Sequence, residues 1–395
     1  MSLSAARLLR PQEKPRRISI LGATGSIGTT TLSIVRQHPR QFTIEALTGN
    51  SNVQLLIEQA LEFRPRYAAI ANEDKYPLLK EALAGTGIEV AAGETAIVEA
   101  AQRPCDWLMA GIVGIAGLKP TLAAIENGVT VALANKECLV SAGDIVQRAC
   151  TRHNATLLPV DSEHNAIFQA LGDNDLTSVE TITLTASGGP FLRLSKEELA
   201  QVTPKQALTH PNWKMGRKIT VDSASLMNKG LEAIEAWHFF PIEKDRIRVV
   251  VHPESIIHSL VHYRDGSVLA QLSLPDMATP IAYTMQWPHR LSIETPRLDL
   301  AAIGALHFEA PDTDRFPCLK LAYGALHSGG AAPAMLNAAN EEAVEAFLEN
   351  RLRFNDIPAL IEHVLSTLTL PPPATLEEVL ETDRCARECA RNWNN

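Results

Sequence analysis

The sequence predicts an α/β protein in three parts. Up to about residue 160, short β-branched runs alternate with amphipathic helical patterns, which is typical of a parallel sheet wrapped by helices. After Asp161 the pattern mixes strands and helices, and from Leu319 onward helical periodicity dominates. We therefore expect an N-terminal Rossmann-type domain, a central α+β domain and a small C-terminal helical domain.

Seven strands are expected in the first domain, residues 1–161. In chain order they are ISILGA, FTIEAL, YAAIAN, IEVAAG, WLMAGI, VTVALAN and TLLPV. Helical patterns separate most of them, as the crossover connections of a parallel sheet require. Ligands of such sheets bind at the carboxyl ends of the strands.

The central domain is expected over residues 162–296. Strands are predicted at 179–187, 247–252, 254–263 and 267–274, a helix at about 224–239, and a loop at 203–218. The turn Arg264-Asp265-Gly266 predicts that the last two strands form a hairpin. Residues 297–322, in a proline-rich stretch, are expected to connect to a helical domain at 323–395.

The composition argues against two classes of partner. The 395 residues carry 45 acidic against 36 basic side chains, so no extended basic surface is expected for nucleic acid or an anionic membrane. No apolar run approaches the ~18 to 20 residues of a membrane-spanning helix. The 6 cysteines show no CxxC spacing. We expect a cytoplasmic protein with reduced thiols, in which a local basic site for a small phosphate remains possible.

A glycine-rich loop follows the first strand. The segment GATGSIG, residues 22–28, precedes the helical pattern TTTLSIVRQH, where glycines let the backbone approach a pyrophosphate at a helix N-terminus. The spacing also fits a plain tight turn, but the flanking strand and helix favour a dinucleotide. Gly49, Asn50 and Asn52 follow the second strand without a carboxylate to repel a 2′-phosphate, which favours NADPH. No arginine accompanies them, so this preference rests on polar and backbone donors.

Two carboxylates follow the last strand of this domain. Asp161 and Glu163 come directly after TLLPV, and an extended backbone would direct both to one side. Judged locally, helix capping by Asp161 or Ser162 is the more frequent explanation for such residues.

The predicted helix at 224–239 has one polar face. Ser225, Asn228, Lys229 and Glu232 fall within an arc of roughly 100°, opposite the apolar residues. Either this face is solvated, or Glu232 meets Asp161 and Glu163. Three carboxylates without a thiolate would suit Mg²⁺ or Mn²⁺ better than zinc.

Ser187 begins a Ser-Gly-Gly-Pro turn after a predicted strand. Its hydroxyl and the exposed backbone N–H groups, together with Ser223, Asn228 and Lys229, could hold a phosphate monoester. The alternative is a simple glycine turn.

The loop HPNWKMGRK, residues 210–218, combines large apolar and polar side chains. Trp213 and Met215 could close over a charged substrate and exclude water. Alternatively, Trp213 anchors the loop to the core.

Six segments together resemble the 1-deoxy-D-xylulose 5-phosphate reductoisomerases. They are GATGSIG at 22–28, ANKE at 134–137, VDSEH at 160–164, TASGGPF at 185–191, HPNWKMGRKITVDSASLMNKGLE at 210–232 and HPESIIHSLV at 252–261. The resemblance spans roughly residues 16–390 in the same order. The long central segment is highly specific, whereas GATGSIG is not.

This resemblance implies a role for each candidate residue. The metal ligands would be Asp161, Glu163 and Glu232. NADPH would contact Thr24, Gly25, Ser26, Ile27, Gly49, Asn50, Asn52, Asn135, Glu137 and Gly216. The substrate would contact Lys136, Ser162, Glu163, Ser187, His210, Trp213, Met215, Ser223, Asn228, Lys229 and Glu232. Catalysis is expected to involve Glu163, Lys136 and His210.

The resemblance also implies a reaction. Members of the family convert 1-deoxy-D-xylulose 5-phosphate to 2-C-methyl-D-erythritol 4-phosphate in the non-mevalonate isoprenoid pathway, by rearrangement and then hydride delivery from NADPH. A homodimer in the bacterial cytoplasm is expected. Many relatives carry a basic residue where this chain has Asn50 and Ser51, which weakens the expected selection for NADPH.

Two other interpretations remain at this stage. A semialdehyde dehydrogenase also fits the glycine loop, but Cys138 would then have to act as its nucleophile. A non-enzymatic sensor of NADPH would leave the three carboxylates without a purpose.

Overall fold

The described part of the chain begins with a parallel sheet of seven strands. The structure is a computed structural model that describes residues 14–209, 213 and 215–393. The strands are β1 (Arg16–Leu21), β2 (Phe42–Gly49), β3 (Tyr67–Ile70), β4 (Glu89–Ala92), β5 (Trp107–Ala110), β6 (Thr130–Leu133) and β7 (Thr156–Pro159). Their order is β4-β3-β2-β1-β5-β6-β7, with every pair parallel. The seven predicted strands and the α/β class are confirmed.

Helices connect these strands and cover the sheet. They are α1 (Ser26–Gln37), α2 (Val53–Phe63), α3 (Tyr76–Ala82), α4 (Glu94–Gln102), α5 (Leu118–Glu126) and α6 (Glu137–His153). Strand β1 is buried on both faces, with Ile18 and Ile20 in one apolar cluster and Leu21 in another. Its neighbours β2 and β5 lead the chain away in opposite directions, which leaves a crevice at the carboxyl ends of the strands.

The central part of the chain forms a smaller, mixed sheet. Its elements are α7 (Ser162–Leu171), β8 (Val179–Ala186), α8 (Lys196–Leu199), α9 (Pro204–Ala207), α10 (Arg217–Ala224), α11 (Met227–Phe239), β9 (Ile247–Val251), β10 (Ile257–Tyr263) and β11 (Val268–Leu272). The strand order is β11-β10-β8-β9. Strands β10 and β11 form the predicted hairpin, with Gly266 at φ 86° in its turn. Apolar side chains of α7 and α11 pack together with this sheet.

The prediction of one helix over 224–239 was wrong at its beginning. Helix α10 ends at Ala224, and Leu226 adopts a left-handed conformation with φ 61° before α11 begins. The Ser225 hydroxyl oxygen stabilises this turn by accepting from the Met227 N–H at 3.3 Å. Ser225 is therefore not part of the polar face of α11.

The strand predicted at 254–263 begins later, at Ile257. The ring Nε2 of His252 accepts from the N–H groups of Ile256 and Ile257, at 3.1 and 3.2 Å. These bonds hold the preceding residues in a loop, in which Ser255 has φ 54°.

Helix α12 (Ala278–Gln286) returns the chain to the first sheet. Ile281, Ala282 and Met285 join the apolar cluster that contains Ile18 and Ile20. One short helix, α13 (Leu300–Ile303), lies in the predicted connecting segment. Helix α12, which follows the central sheet in the chain, thus packs against the first sheet.

Four helices complete the described part of the chain: α14 (Cys318–Ser328), α15 (Ala332–Leu348), α16 (Ile357–Thr367) and α17 (Leu376–Arg391). Helix α14 lies close to α11, since a Cβ added at Gly230 would be 2.4 Å from the Ala322 Cβ. Helix α15 contacts α6 and α10 as well as its neighbours α16 and α17. Among the described residues, no helix has both the length and the apolar character needed to span a bilayer.

Gly28 fixes the distance between α1 and the loop after β1. A Cβ at this position would lie 2.4 Å from both the Gly22 carbonyl oxygen and the Ala23 Cα. The substitution Gly28→Ala is expected to lower the thermal unfolding midpoint by several degrees, because overpacking of this kind costs roughly 1–3 kcal/mol. Circular dichroism during heating would measure the shift. Gly25→Ala is the matched control, because its φ is −82° and an added Cβ would lie 3.4 Å from the Gly22 carbonyl oxygen. Equal midpoints for the two variants would contradict the prediction.

Candidate active site

The carboxyl ends of the first sheet open into a cavity of about 700 Å³. The second sheet and helices α10 and α11 form its opposite wall. The predicted site residues that line it are Ser26, Ile27, Asn135, Lys136, Glu137, Asp161, Ser162, Glu163, Ser187, Trp213, Met215, Gly216, Ser223, Asn228, Lys229 and Glu232. Residues from distant parts of the chain therefore line one cavity.

The three predicted metal ligands lie together in this cavity. Asp161 and Glu163 stand at the start of α7, Glu232 is on α11, and one carboxylate oxygen from each lies within 4.8 Å of the others. The Asp161 side chain makes no capping hydrogen bond to α7, although it occupies the N-cap position. Glu232 is only 1% exposed, so the solvated alternative for this face of α11 does not hold.

Two buried lysines compensate these carboxylates. The Lys136 Nζ lies 2.7 Å from Asp161 and 3.3 Å from Glu232. The Lys229 Nζ lies 2.7 Å from Glu163 and 2.6 Å from Glu232. Three carboxylates face two ammonium groups, which leaves a net negative charge when all five are ionised.

Hydrogen bonds orient the same groups. Asn228 accepts from Lys136 at 2.6 Å through Oδ1 and donates to Glu232 at 2.5 Å through Nδ2. The Ser162 hydroxyl donates to Glu163 at 2.5 Å. Each carboxylate therefore has a fixed partner on a neighbouring element or residue.

Burial and charge shift the pKa values of this cluster in opposite directions. Burial, reinforced by the nearby Glu163 carboxylate, raises the pKa of Glu232 to about 8. Burial would also raise the pKa of Asp161, but attraction by Lys136 outweighs it and lowers that pKa. The pKa values of Lys136 and Lys229 rise because their carboxylate partners outweigh the effect of burial. The lysines therefore remain charged at neutral pH.

The donor set fits a hard divalent cation. Asp161, Glu163 and Glu232 provide oxygen ligands without a thiolate, which suits Mg²⁺ or Mn²⁺. A second group that shares Asp161 contains His164 and Glu235, both fully buried behind the cavity. The His164 ring bonds the Glu232 carbonyl oxygen through Nε2 at 2.8 Å and so ties α7 to α11.

The predicted phosphate residues lie beside this cluster. Ser187 and Ser223 line the cavity together with Asn228 and Lys229. The turn after β8 presses against α10, because a Cβ at Gly189 would lie 2.7 Å from the Ser223 carbonyl oxygen. A glycine with φ 68° is needed there, and it brings the two serines to the same wall.

The N-terminus of α1 also lines the cavity. Its N-cap is Gly25, with no capping hydrogen bond from a described side chain, and Ser26 and Ile27 face the cavity. The first N–H groups of a helix have no partner within the helix, so they can bind an anion such as a pyrophosphate. The backbone here thus fits a dinucleotide.

The loop after β2 lies next to this end. A Cβ at Gly49 would be 3.2 Å from the Thr24 methyl carbon, so the two predicted cofactor loops touch. The Asn50 carbonyl accepts from the Asn72 N–H at 3.0 Å. Asn52 caps α2 by accepting from Leu55 N–H at 3.2 Å, so its side chain has a structural partner.

Two further residues that are predicted to contact NADPH, Asn135 and Glu137, form hydrogen bonds within the protein. Asn135 donates to the Gly114 carbonyl at 2.8 Å and accepts from the Cys138 N–H at 3.1 Å, which holds the loops after β5 and β6 together. Glu137 accepts from Lys218 at 2.9 Å.

The predicted lid lies only partly within the described residues. Trp213, Met215 and Gly216 line the cavity, and the Trp213 ring lies 6.1 Å from the His258 ring. His210 is outside the described residues, so its predicted role remains a prediction.

Some residues that line the cavity were missed by sequence reasoning. Ser255, His258, Asp276 and Met277 all face it. His258 lies within a strand pattern and the other three lie in loops, so no local signal marked them as site residues. Only the positive φ of Ser255 marks its loop as unusual, and φ cannot be read from the sequence.

Cys138 does not have the environment of a nucleophile. It is buried in α6, with its sulfur 3.8 Å from the Thr121 hydroxyl, and burial raises the pKa of its thiol. The semialdehyde dehydrogenase interpretation loses its required residue.

Family models match three segments of the chain. The model described as 1-deoxy-D-xylulose 5-phosphate reductoisomerase matches residues 18–143. Two models of C-terminal domains of the same enzyme match residues 157–240 and 272–389.

Solved structures of 1-deoxy-D-xylulose 5-phosphate reductoisomerases have the same fold as this chain. The Zymomonas mobilis enzyme in complex with NADPH has a TM-score of 0.91 and 50% identity, covering 95% of this chain and 98% of that one. A complex with NADPH, fosmidomycin and magnesium has a TM-score of 0.91 and 43% identity, covering 95% and 97%.

Curated relatives agree over nearly the whole length. The 1-deoxy-D-xylulose 5-phosphate reductoisomerase of Rhodospirillum centenum is 53% identical over 375 residues, covering 95% of this chain and 93% of the relative. That of Zymomonas mobilis is 51% identical over 374 residues, covering 95% and 96%. This similarity, together with the carboxylate cluster and the helix N-terminus that share one cavity, shows that the chain belongs to the 1-deoxy-D-xylulose 5-phosphate reductoisomerase family.

Proposed function

We propose that the chain catalyses the NADPH-dependent rearrangement and reduction of 1-deoxy-D-xylulose 5-phosphate to 2-C-methyl-D-erythritol 4-phosphate. One observation carries the proposal. The cluster of Asp161, Glu163 and Glu232 opens into the same cavity as the N-terminus of α1. A metal-assisted rearrangement and a hydride transfer need their two reaction centres side by side.

Asp161, Glu163 and Glu232 would hold Mg²⁺ or Mn²⁺. A bound divalent cation supplies Lewis acidity that stabilises negative charge on the substrate's oxygens. Lys136, whose Nζ lies 2.7 Å from Asp161 and 3.3 Å from Glu232, would place an ammonium group beside the metal ligands. Asn228 orients Lys136 and Glu232 through its two amide atoms.

Ser187, Ser223 and Lys229 would bind the substrate's phosphate. These groups lie apart from the first sheet, in the turn after β8 and on α10 and α11. Binding energy gained there orients the carbon skeleton without taking part in its bond changes. Trp213 and Met215 would cover the substrate and exclude water from the cavity.

The N-terminus of α1 would bind the pyrophosphate of NADPH. The cofactor supplies the hydride for the reduction. Ser26 and Ile27 offer backbone N–H groups, whereas the Gly25 N–H donates to the Gly22 carbonyl oxygen at 3.0 Å. Thr24 and Gly49 place the adjoining loops in contact.

The proposed reaction can be tested with the purified chain. NADPH oxidation, followed by absorbance, should require both 1-deoxy-D-xylulose 5-phosphate and Mg²⁺ or Mn²⁺. Addition of a chelator should abolish it, and excess metal should restore it. Absence of NADPH oxidation with every metal, in protein shown to be folded, would overturn the proposal.

Glu232→Gln tests the metal assignment. The substitution turns a carboxylate into a neutral amide, which is a weaker ligand for a hard cation. Turnover is therefore expected to fall by ~10²-fold or more. Titration of Mn²⁺ by electron paramagnetic resonance should show weaker binding in the same variant. Glu243→Gln, an exposed residue on the loop after α11, is the control. Unchanged metal binding by Glu232→Gln would contradict the assignment.

We also propose a homodimer in the bacterial cytoplasm. Strand β11 is one of the two edge strands of the second sheet, and Val268 and Leu269 on it are 46% and 47% exposed. An exposed edge strand offers unpaired backbone groups and apolar side chains to a second copy. The relatives described above are bacterial proteins.

Light scattering after size exclusion should give twice the chain mass of 43.0 kDa. Leu269→Lys should shift the protein toward the monomer. Leu300→Lys should not, although Leu300 is 57% exposed on α13. A wild-type monomer, or a dimer unaffected by Leu269→Lys, would contradict this surface.

A further inference from the structure

A second group of buried charges lies beside the cavity, apart from the carboxylate cluster. Its centre is Lys218, the second residue of α10 and the last residue of the predicted lid segment 210–218. The proposed chemistry assigns Lys218 no role, yet it lines the cavity and its side chain is only 20% exposed. A buried ammonium is stable only when it is paired.

Lys218 joins two elements that build the cofactor end. Its Nζ lies 2.9 Å from Glu137, the first residue of α6, and 3.0 Å from Asp222 on its own helix. Attraction by Asp222 and Glu137 outweighs burial and raises the pKa of Lys218. Lys218 in turn lowers the pKa of the buried Glu137 against the effect of burial. Both groups therefore remain charged.

Helix α15 contacts the residues around Lys218. Asn340 donates to Asp222 at 2.8 Å, and both residues are buried. Glu341 lies near enough to attract Lys218, and Arg387 of α17 binds Glu341 at 2.5 Å. The C-terminal helices thus support the point at which the lid joins α10.

We propose that Lys218 is a positioning residue, which fixes the Glu137 carboxylate for cofactor binding and links the base of the lid to the cofactor wall. This inference rests on the proposed use of NADPH. Without Lys218, Glu137 would be a buried carboxylate with no cation among the described residues at hydrogen-bond distance, and it would move or take up a proton. The effect on NADPH would then pass through Glu137.

A double-mutant cycle on NADPH affinity tests this dependence. The dissociation constant is measured from the fluorescence of bound NADPH, without substrate or turnover, for wild type, Lys218→Gln, Glu137→Gln and the double variant. Lys218→Gln is expected to raise it about tenfold, a coupling of the size found for contacting charged residues. In the Glu137→Gln background, the same change should have little further effect.

Two further variants serve as controls. Lys218→Arg keeps the charge and should bind NADPH within about threefold of wild type, since a cation still faces Glu137. Lys119→Gln removes a lysine that is also paired with the first residue of a helix, Glu94 at 3.0 Å, but both partners are exposed. It should leave NADPH affinity unchanged.

The outcomes separate this inference from the proposed function. Equal losses of affinity from Lys218→Gln in both backgrounds would overturn the inference, because Lys218 would then act independently of Glu137. If Lys218→Gln does not fold by itself, the double variant, which lacks both charges, is compared with Glu137→Gln. A dissociation constant of the double variant for NADPH well above that of Glu137→Gln would also overturn the inference. A folded wild-type chain that bound no NADPH would overturn the proposed function itself.

Discussion

The structure depends on the pairing of charges that are buried where two sheets meet. Asp161, Glu163 and Glu232 are held near one another by two lysines, and each lysine bridges different elements. Burial without these partners would cost several kcal/mol for each charge. The ends of β6 and β7 and the first turns of α7 and α11 must therefore meet at one place. This requirement sets the position of the cavity.

The two sheets contribute different functions to that cavity. The first sheet is parallel, so its loops and helix N-termini collect at one edge, which suits a dinucleotide. The second sheet and its helices bring the serines and Lys229. Helices α14 and α15 pack behind α11 and α10, so the C-terminal part of the chain supports the catalytic wall without lining the cavity.

Much of the fold could be read from the sequence because its signals are local. Strand runs, helical periodicity and the Asp265-Gly266 turn each depend on neighbouring residues, and all seven strands of the first sheet were predicted. The break at Leu226 was missed, because apolar periodicity continues across it. Its left-handed conformation is stabilised by the Ser225 hydroxyl and by packing that no local pattern records.

The sequence by itself determined the α/β class, the glycine loop and, through resemblance, which carboxylates to consider. It left open whether Asp161 caps a helix and whether Glu232 faces water. Tertiary structure decided both, since Glu232 is buried against Glu163 and Lys229, and Asp161 faces Lys136. It also revealed His258 in the cavity and the pair of Lys218 with Glu137. These contacts join residues far apart in the chain, and their energy depends on burial and distance, which only the folded chain defines.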